Sequence, residues 1–351
     1  MLPSRCIQGI VAATALLAAC ASDSSDPSTP AGAVVYQEVR DYRGKLVRVG
    51  WDGSHRQVLW EAPAQHYFDG DLFPSPDGRV IIFPATGGWL QVPGDSGAVT
   101  AFLPPSVEGG NTFDPAWAPD GDVIAWRIYR VDLNTSRVAL APFGSTSATL
   151  VTPDSLLVHK VSWAPDGTQL VVSAEVRPEV GDPYLALFVV SRDGSQLREL
   201  IRDPDLYPSA LAWAPTGNRI AFASGGLLKT ISPEGTGVRT VVSASEWSQN
   251  YASDLFWSPD ARDMIAITYG GLFTTVDMEA ATNIAFPRML PAHPNPWSAD
   301  GERILFLTRS GWSSPPVSWV YLSVSLPGGT GSVRLSPDST EASSPAWLVS
   351  R

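Results

Sequence analysis

Short runs of bulky apolar residues recur down the chain, each placed behind the same compact polar turn. In Pro115-Ala-Trp-Ala-Pro-Asp-Gly-Asp-Val-Ile-Ala-Trp126 an aromatic precedes the turn and the apolar pair Ile124 and Ala125 follows it. Variants return as Leu72-Phe-Pro-Ser-Pro-Asp-Gly-Arg-Val-Ile-Ile-Phe83, Val161-Ser-Trp-Ala-Pro-Asp-Gly-Thr-Gln-Leu-Val-Val172 and Leu211-Ala-Trp-Ala-Pro-Thr-Gly-Asn-Arg-Ile-Ala-Phe222. Leu255-Phe-Trp-Ser-Pro-Asp-Ala-Arg-Asp-Met-Ile-Ala266, Asn295-Pro-Trp-Ser-Ala-Asp-Gly-Glu-Arg-Ile-Leu-Phe306 and the fragment Pro345-Ala-Trp347 complete the series. Proline presets φ at the second turn position, Asp bonds its own downstream backbone, and Gly takes the positive φ that ends the turn. The pattern predicts a hairpin. The pairs behind it (Ile124 and Ala125, Leu170 and Val171, Ile220 and Ala221, Ile304 and Leu305) read as a strand buried on both faces. A unit of short strands that recurs about every 40 to 50 residues points to a propeller or a solenoid.

The aromatics Phe73, Trp117, Trp163, Trp213, Trp257, Trp297 and Trp347 bound six complete intervals, each long enough for four short strands. Two ends are left over. Ala33-Val-Val-Tyr-Gln-Glu-Val39, Lys45-Leu-Val-Arg-Val49 and Arg56-Gln-Val-Leu-Trp60 look like three later strands of a unit without its first, and Trp347 marks a first strand with nothing after it. Joined, they make one more blade and hide two sheet edges. The expected fold is therefore all-β: a seven-bladed β-propeller of four-stranded antiparallel blades, closed by the C-terminal strand joining the N-terminal blade. A six-bladed ring is the second choice. Gly88 to Val92, Leu185 to Val190 and Trp319 to Ser325 read as further strands, and no stretch is long and periodic enough for a helix.

The repeated aromatic, Ser, Pro, Asp, Gly and Ile-Ala-Phe pattern resembles the TolB-type, WD-repeat-like β-propeller repeat, and the likeness runs over nearly all of the chain after the leader. It implies a periplasmic or cell-surface propeller that binds other proteins or envelope components.

The leader changes where the domain is expected to sit. Met1-Leu-Pro-Ser-Arg5 precedes an apolar run from Ile7 to Ala19 that is too short to span a bilayer and reads as a signal peptide. Leu17-Ala-Ala-Cys20 matches the bacterial lipobox, so residues 1–19 are the expected lipoprotein signal and Cys20 the expected acylation site, with palmitate among its chains. Several acyl chains on one residue give stable anchoring, at about 0.8 kcal/mol per buried methylene. Residues 20–32 then form a lipid-anchored flexible tether reaching roughly 20 Å, and residues 33–351 a single propeller domain. With Cys6 removed and Cys20 acylated, no disulfide forms, and packing alone holds the fold. The expected location is the bacterial envelope, periplasmic or outer-membrane.

Charge excludes one class of partner. The chain carries 24 Lys and Arg against 35 Asp and Glu, a net −11. Nucleic acid, which needs clustered cations, is not expected. Candidate binding residues lie in the connections that lead into each repeat: His66, Tyr67, Asp69 and Asp71; Asn111 and Asp114; His159, beside Lys160; Tyr207; Tyr251 and Asp254; and His293, beside Asn295. Loops on a rigid scaffold are where binding residues gather. The expected function is a protein- or peptide-binding scaffold, a monomeric domain with no catalytic residue and no cofactor. The alternative is a metal-dependent hydrolase or lyase acting on a small molecule or glycan at the channel mouth. None of the histidines has ligand spacing in sequence, which makes a divalent metal the weaker expectation. The repeated Asp77, Asp120, Asp166, Asp260 and Asp300 read as turn caps.

Overall fold

A computed structural model of the chain describes residues 32–40, 43–63, 68, 70–95, 97–107, 109–242, 252–268, 273–279, 282–286, 289–291, 294–310, 319–325, 332–337 and 341–348. The turn sets the local structure. Asp77 Oδ1 accepts hydrogen bonds from Ser75 Oγ at 2.6 Å and from the Arg79 amide at 3.1 Å, and Asp260 does the same with Ser258 Oγ and the Arg262 amide. Asp120 and Asp166 accept the amides of Asp122 and Thr168, so the repeated aspartates are turn caps. The residue after them is left-handed, with φ between 69° and 80° at Gly78, Gly121, Gly167, Gly217 and Gly301. Ala261 holds the same place at φ 58°, a conformation that glycine adopts without a Cβ penalty.

Each turn joins two strands of a four-strand unit, and the described residues contain strands and turns but no helix. The first unit takes β1 (Ala33–Arg40), β2 (Arg43–Gly50) and β3 (Gln57–Glu61) from one end of the sequence and β28 (Glu341–Leu348) from the other, in the order β28-β1-β2-β3. Val34 lies opposite Trp347 and Val35 opposite Ala346. The second unit is β4 (Phe73–Pro74), β5 (Val80–Ala85), β6 (Gly88–Pro93) and β7 (Thr100–Phe102). The third is β8 (Asn111–Trp117), β9 (Val123–Arg130), β10 (Thr135–Pro142) and β11 (Thr149–Leu150), and the fourth β12 (Leu156–Trp163), β13 (Gln169–Val176), β14 (Tyr184–Ser191) and β15 (Leu197–Arg202). One parallel bridge, Ser136 to Leu157, fuses these two into an eight-stranded sheet. Next comes a fifth unit of β16 (Leu206–Trp213), β17 (Ile220–Ser224), β18 (Leu227–Ile231) and β19 (Arg239–Val242). A sixth holds β20 (Ala252–Trp257), β21 (Asp263–Thr268), β22 (Phe273–Asp277) and β23 (Thr282–Phe286). The last holds β24 (Met289–Pro291), β25 (Ile304–Ser310), β26 (Trp319–Ser325) and β27 (Ser332–Arg334).

The core lies between units. Ile82 and Phe102 of the second pack on Trp126 and Ile128 of the third; Val171 and Leu187 of the fourth pack on Phe222 of the fifth. The seventh unit's Leu305 packs on Val34, Tyr36 and Val47 of the first. The repeated tryptophans bind these junctions by hydrogen bonds as well as by area. Trp163 Nε1 donates to the Ala116 carbonyl at 2.9 Å, Trp257 to Ala212 at 3.1 Å, Trp297 to Phe256 at 3.1 Å and Trp347 to Pro296 at 2.9 Å. In each case the acceptor is the residue just before the preceding unit's tryptophan. Trp213 departs from this: its indole bonds its own turn at Gly217. A buried indole needs such an acceptor, which ties the packing to one register.

The seventh unit differs from expectation. The other repeated tryptophans from Trp117 to Trp257 end an inner strand, but Trp297 makes an isolated bridge to Ile304, while the strand itself is the short β24, which ends six residues earlier. Pro291, Pro294 and Pro296 have no amide hydrogens to continue a ladder.

Candidate functional site

Opposite the turn end, the inner strands bulge at matching heights. The register slips between Phe113 and Ala116 in β8, between Val158 and Lys160 in β12, between Leu206 and Leu211 in β16, and between Ala252 and Asp254 in β20. A bulge leaves a residue outside the ladder and re-aims its side chain. The residues freed here include Asp114 and His159. Asp114 is left-handed at φ 49° although it is followed by Pro115, a conformation that costs energy and that the surrounding sheet must hold.

Around these bulges the inner strands β4, β8, β12, β16 and β20 enclose a cavity of about 350 Å³. Its floor is apolar: Phe73, Ala116, Val161, Leu211, Leu255 and Phe256. Its rim is charged and already paired. Arg127 donates from Nε at 2.8 Å and from Nη2 at 2.7 Å to the same Asp114 oxygen, with its guanidinium 5.5 Å from the Phe113 ring centre. Lys160 Nζ lies 2.6 Å from Asp254 Oδ1, so a bridge runs from β12 to β20 past the intervening β16. Both partners are largely sheltered, at 29% and 20% side-chain exposure, which makes this bridge stronger than a fully solvated pair. Burial pushes the His159 imidazole below its ordinary range, opposed by the Glu175 carboxylate and reinforced by Arg127 and Arg177. Burial thus favours the neutral ring, and its buried Nε2 has no hydrogen-bond partner among the described residues.

Of the expected binding residues, Asp71, Asp114 and His159 reach the cavity together with Lys160 and Asn295, and Asp254 reaches it through Lys160. Asp114, His159, Lys160 and Asp254 sit inside longer inner strands than expected, because the hairpins keep pairing above the bulges, whereas Asp71 and Asn295 lie in the segments just before Phe73 and Trp297. Two candidates fall elsewhere. Asn111 is exposed at the start of β8 opposite Tyr129, and Tyr207 packs against the apolar junction of the fifth and sixth units. His66, Tyr67, Asp69, Tyr251 and His293 lie outside the described residues, as does Cys20. Arg127 is the cavity-lining residue that sequence reasoning missed. Its only signal is a cation straight after the buried Ile-Ala-Trp of β9.

No family profile matches this sequence, and no curated protein does. Solved structures do. An oligogalacturonate lyase in complex with manganese is similar over 87% of this chain and 85% of its own, at 15% identity and a TM-score of 0.59. An oligogalacturonate lyase from Vibrio parahaemolyticus is similar over 86% and 83%, at 12% identity and a TM-score of 0.60. TolB from Acinetobacter baumannii is similar over 90% and 82%, at 14% identity and a TM-score of 0.50. The fold is a β-propeller. At these identities the likeness reaches the fold alone, since one architecture hosts unrelated activities.

Proposed function

We propose that the chain is an envelope-anchored propeller of seven blades, closed by its C-terminal strand, whose inner-strand mouth receives a protein or peptide segment. The β1 to β28 ladder and the packing of Leu305 against Val34 and Tyr36 support the closure, and the seven four-strand units support the blade number. The cavity carries the binding reading. An apolar floor under a rim of mutually neutralised charges suits an inserted apolar side chain whose polar backbone stays at the rim. The same rim offers no concentrated charge to a small ion. On this reading residues 1–19 are the lipoprotein signal, Cys20 carries the lipid, residues 20–32 are the tether, and residues 33–351 form one domain held at the envelope surface.

The test is capture of envelope proteins by the full chain, compared with an Asp114→Ala plus Lys160→Ala variant. Loss of captured species in the variant supports the mouth as the recognition surface, and unchanged capture moves that surface elsewhere. For the anchor, Cys20→Ser should abolish incorporation of labelled palmitate.

A second reading, a metal-dependent hydrolase or lyase, is prompted by the manganese-bound lyase that shares the fold. The described residues do not fit it: no three His, Cys, Asp or Glu side chains among them stand together as donors, and Asp114 and Asp254 are held by cations. Stoichiometric divalent metal in the purified protein would favour that reading over the scaffold.

A further inference from the structure

Beyond the mouth cavity, the rim of the second to fourth units, at the end away from the Asp-Gly turns, exposes a row of large apolar side chains. Leu103 is 66% exposed, Phe113 41%, Val131 67%, Leu133 55% and Val180 91%. They stand on one continuous surface. Thr112 Oγ1 donates to the Pro105 carbonyl at 3.2 Å, which holds the segment after Leu103 to β8. Gly110 lies so close to β9 that a Cβ there would come within 2.5 Å of Ile128 Cγ2. Arg177 Nη1 donates to the Asn134 carbonyl at 2.6 Å, joining the loop of Val131 and Leu133 to the base of the loop of Val180.

Charge says what kind of partner such a surface fits. Four arginines, 127, 130, 137 and 177, are each bound at 2.7 Å to a carboxylate: Asp114, Asp132, Asp154 and Glu175. In the first three pairs the carboxylate is the outer member, at 61%, 64% and 74% exposure against 25%, 26% and 17% for the arginine. Glu179 and Asp182, on either side of Val180, are exposed and meet no cation among the described residues. Leaving aside the Asp114–Arg127 pair at the cavity mouth, the described residues of the rim set five carboxylates against three guanidiniums, with Asp132 and Asp154 turned outward. A second copy of this net −11 chain, or an anionic lipid surface, would bring like charge to it.

We propose that this rim docks a basic polypeptide segment that carries apolar side chains, with Leu103, Val131, Leu133 and Val180 covered by its apolar residues and Asp132, Asp154, Glu179 and Asp182 facing its cations. The site adjoins the mouth cavity at Phe113 but uses none of the residues that line it.

The experiment titrates the full chain against a fluorescent amphipathic peptide of lysine and leucine, and against its glutamate and leucine counterpart, by anisotropy. The lysine peptide should bind at least about tenfold tighter than the glutamate peptide and weaken about tenfold as salt rises from low to high ionic strength. Val131→Ser with Leu133→Ser should weaken it about tenfold. Asp132→Asn with Asp154→Asn should weaken it similarly and flatten its salt dependence, since two carboxylates that face the peptide's cations would be lost. All four residues are exposed, so unchanged thermal melting keeps the comparison clean, and Val58→Ser on β3 should bind as the parent does. Equal binding of the two peptides, or parent-like binding by both double variants, overturns the proposal. So does loss of binding in Lys160→Ala with the rim variants silent, which would move the peptide into the cavity. Self-association or uptake by phosphatidylglycerol vesicles that Leu133→Ser abolishes would assign the rim to a second copy or to lipid and overturn it as well.

Discussion

The two ends of the inner strands obey different rules. At the turn end the repeats agree almost residue for residue, and Trp163, Trp257, Trp297 and Trp347 clasp the preceding unit through the same carbonyl position. At the mouth end the strands share only a bulge. Its contents are Asp114 and Pro115 in one unit, His159 in the next, Tyr207 and Pro208 in another, and Ser253 in a fourth. Every junction between units is the same packing problem and accepts the same solution, whereas a surface that recognises something must place unlike groups side by side. Repetition in this chain marks what holds it together, and on the proposed reading departure from repetition marks what it presents to others.

A short series of substitutions breaks or sharpens that contrast. The largest effect is expected from Ala346→Pro, which sets a rigid ring at a buried position of β28 opposite Val35 and directly after Pro345; stability should fall by at least about 3 kcal/mol. Unchanged denaturant melting would separate the terminal strand from the rest of the fold. Trp257→Ala should cost about 3 to 5 kcal/mol. The milder Trp257→Phe should cost about 1 to 2 kcal/mol by orphaning the Ala212 carbonyl, and more than Trp213→Phe, whose indole bonds only its own turn. At the mouth the expected costs are smaller. Lys160→Ala should destabilise by about 1 to 2 kcal/mol, and a double-mutant cycle with Asp254→Ala should recover most of that as coupling.

Two finer effects return to the turns. Ala261→Gly relieves a left-handed alanine and should raise stability by about 0.5 to 1 kcal/mol in denaturant melts, the reverse of the usual glycine penalty. Asp193 is drawn down to about 2 by hydrogen bonds from Ser191 Oγ and from the Ser195 amide and hydroxyl. Because its folded value lies below its unfolded one, its contribution is complete above about pH 4 and disappears as pH falls toward 2. Asp193→Asn should flatten that part of the acid limb in melts recorded between those limits.

Legibility in the sequence follows the same division. The turns, the tryptophans and the strands behind them were readable because each is stated several times, so a substitution such as Ala261 for Gly did not hide the unit. Short outer strands such as Arg239–Val242 and Ser332–Arg334 carried no such restatement. The mouth was legible as a neighbourhood and not as a set of contacts. Asp114 and His159 do meet there, but Arg127 sits on a strand that its neighbours Trp126 and Ile128 mark as core. Tyr207 shows the converse. A polar-tipped aromatic in a bulge reads equally as ligand or filler, and the slip of register in β16 leaves it against the apolar cluster between the fifth and sixth units. The depth and direction of a bulge are set by pairing across strands, which a local pattern does not encode.

The ladder between β1 and β28 also fixes an order of events. A chain exported or synthesised from its N-terminus releases Ala33–Arg40 early, yet the partner for one side of that strand arrives only with Glu341–Leu348. In the interval its edge is bare, a template for pairing with other chains, and the contact that finally covers it spans nearly the whole sequence, the kind that forms slowly. Production that outruns this last step should therefore fail by aggregation of nearly finished molecules rather than by loss of folded ones.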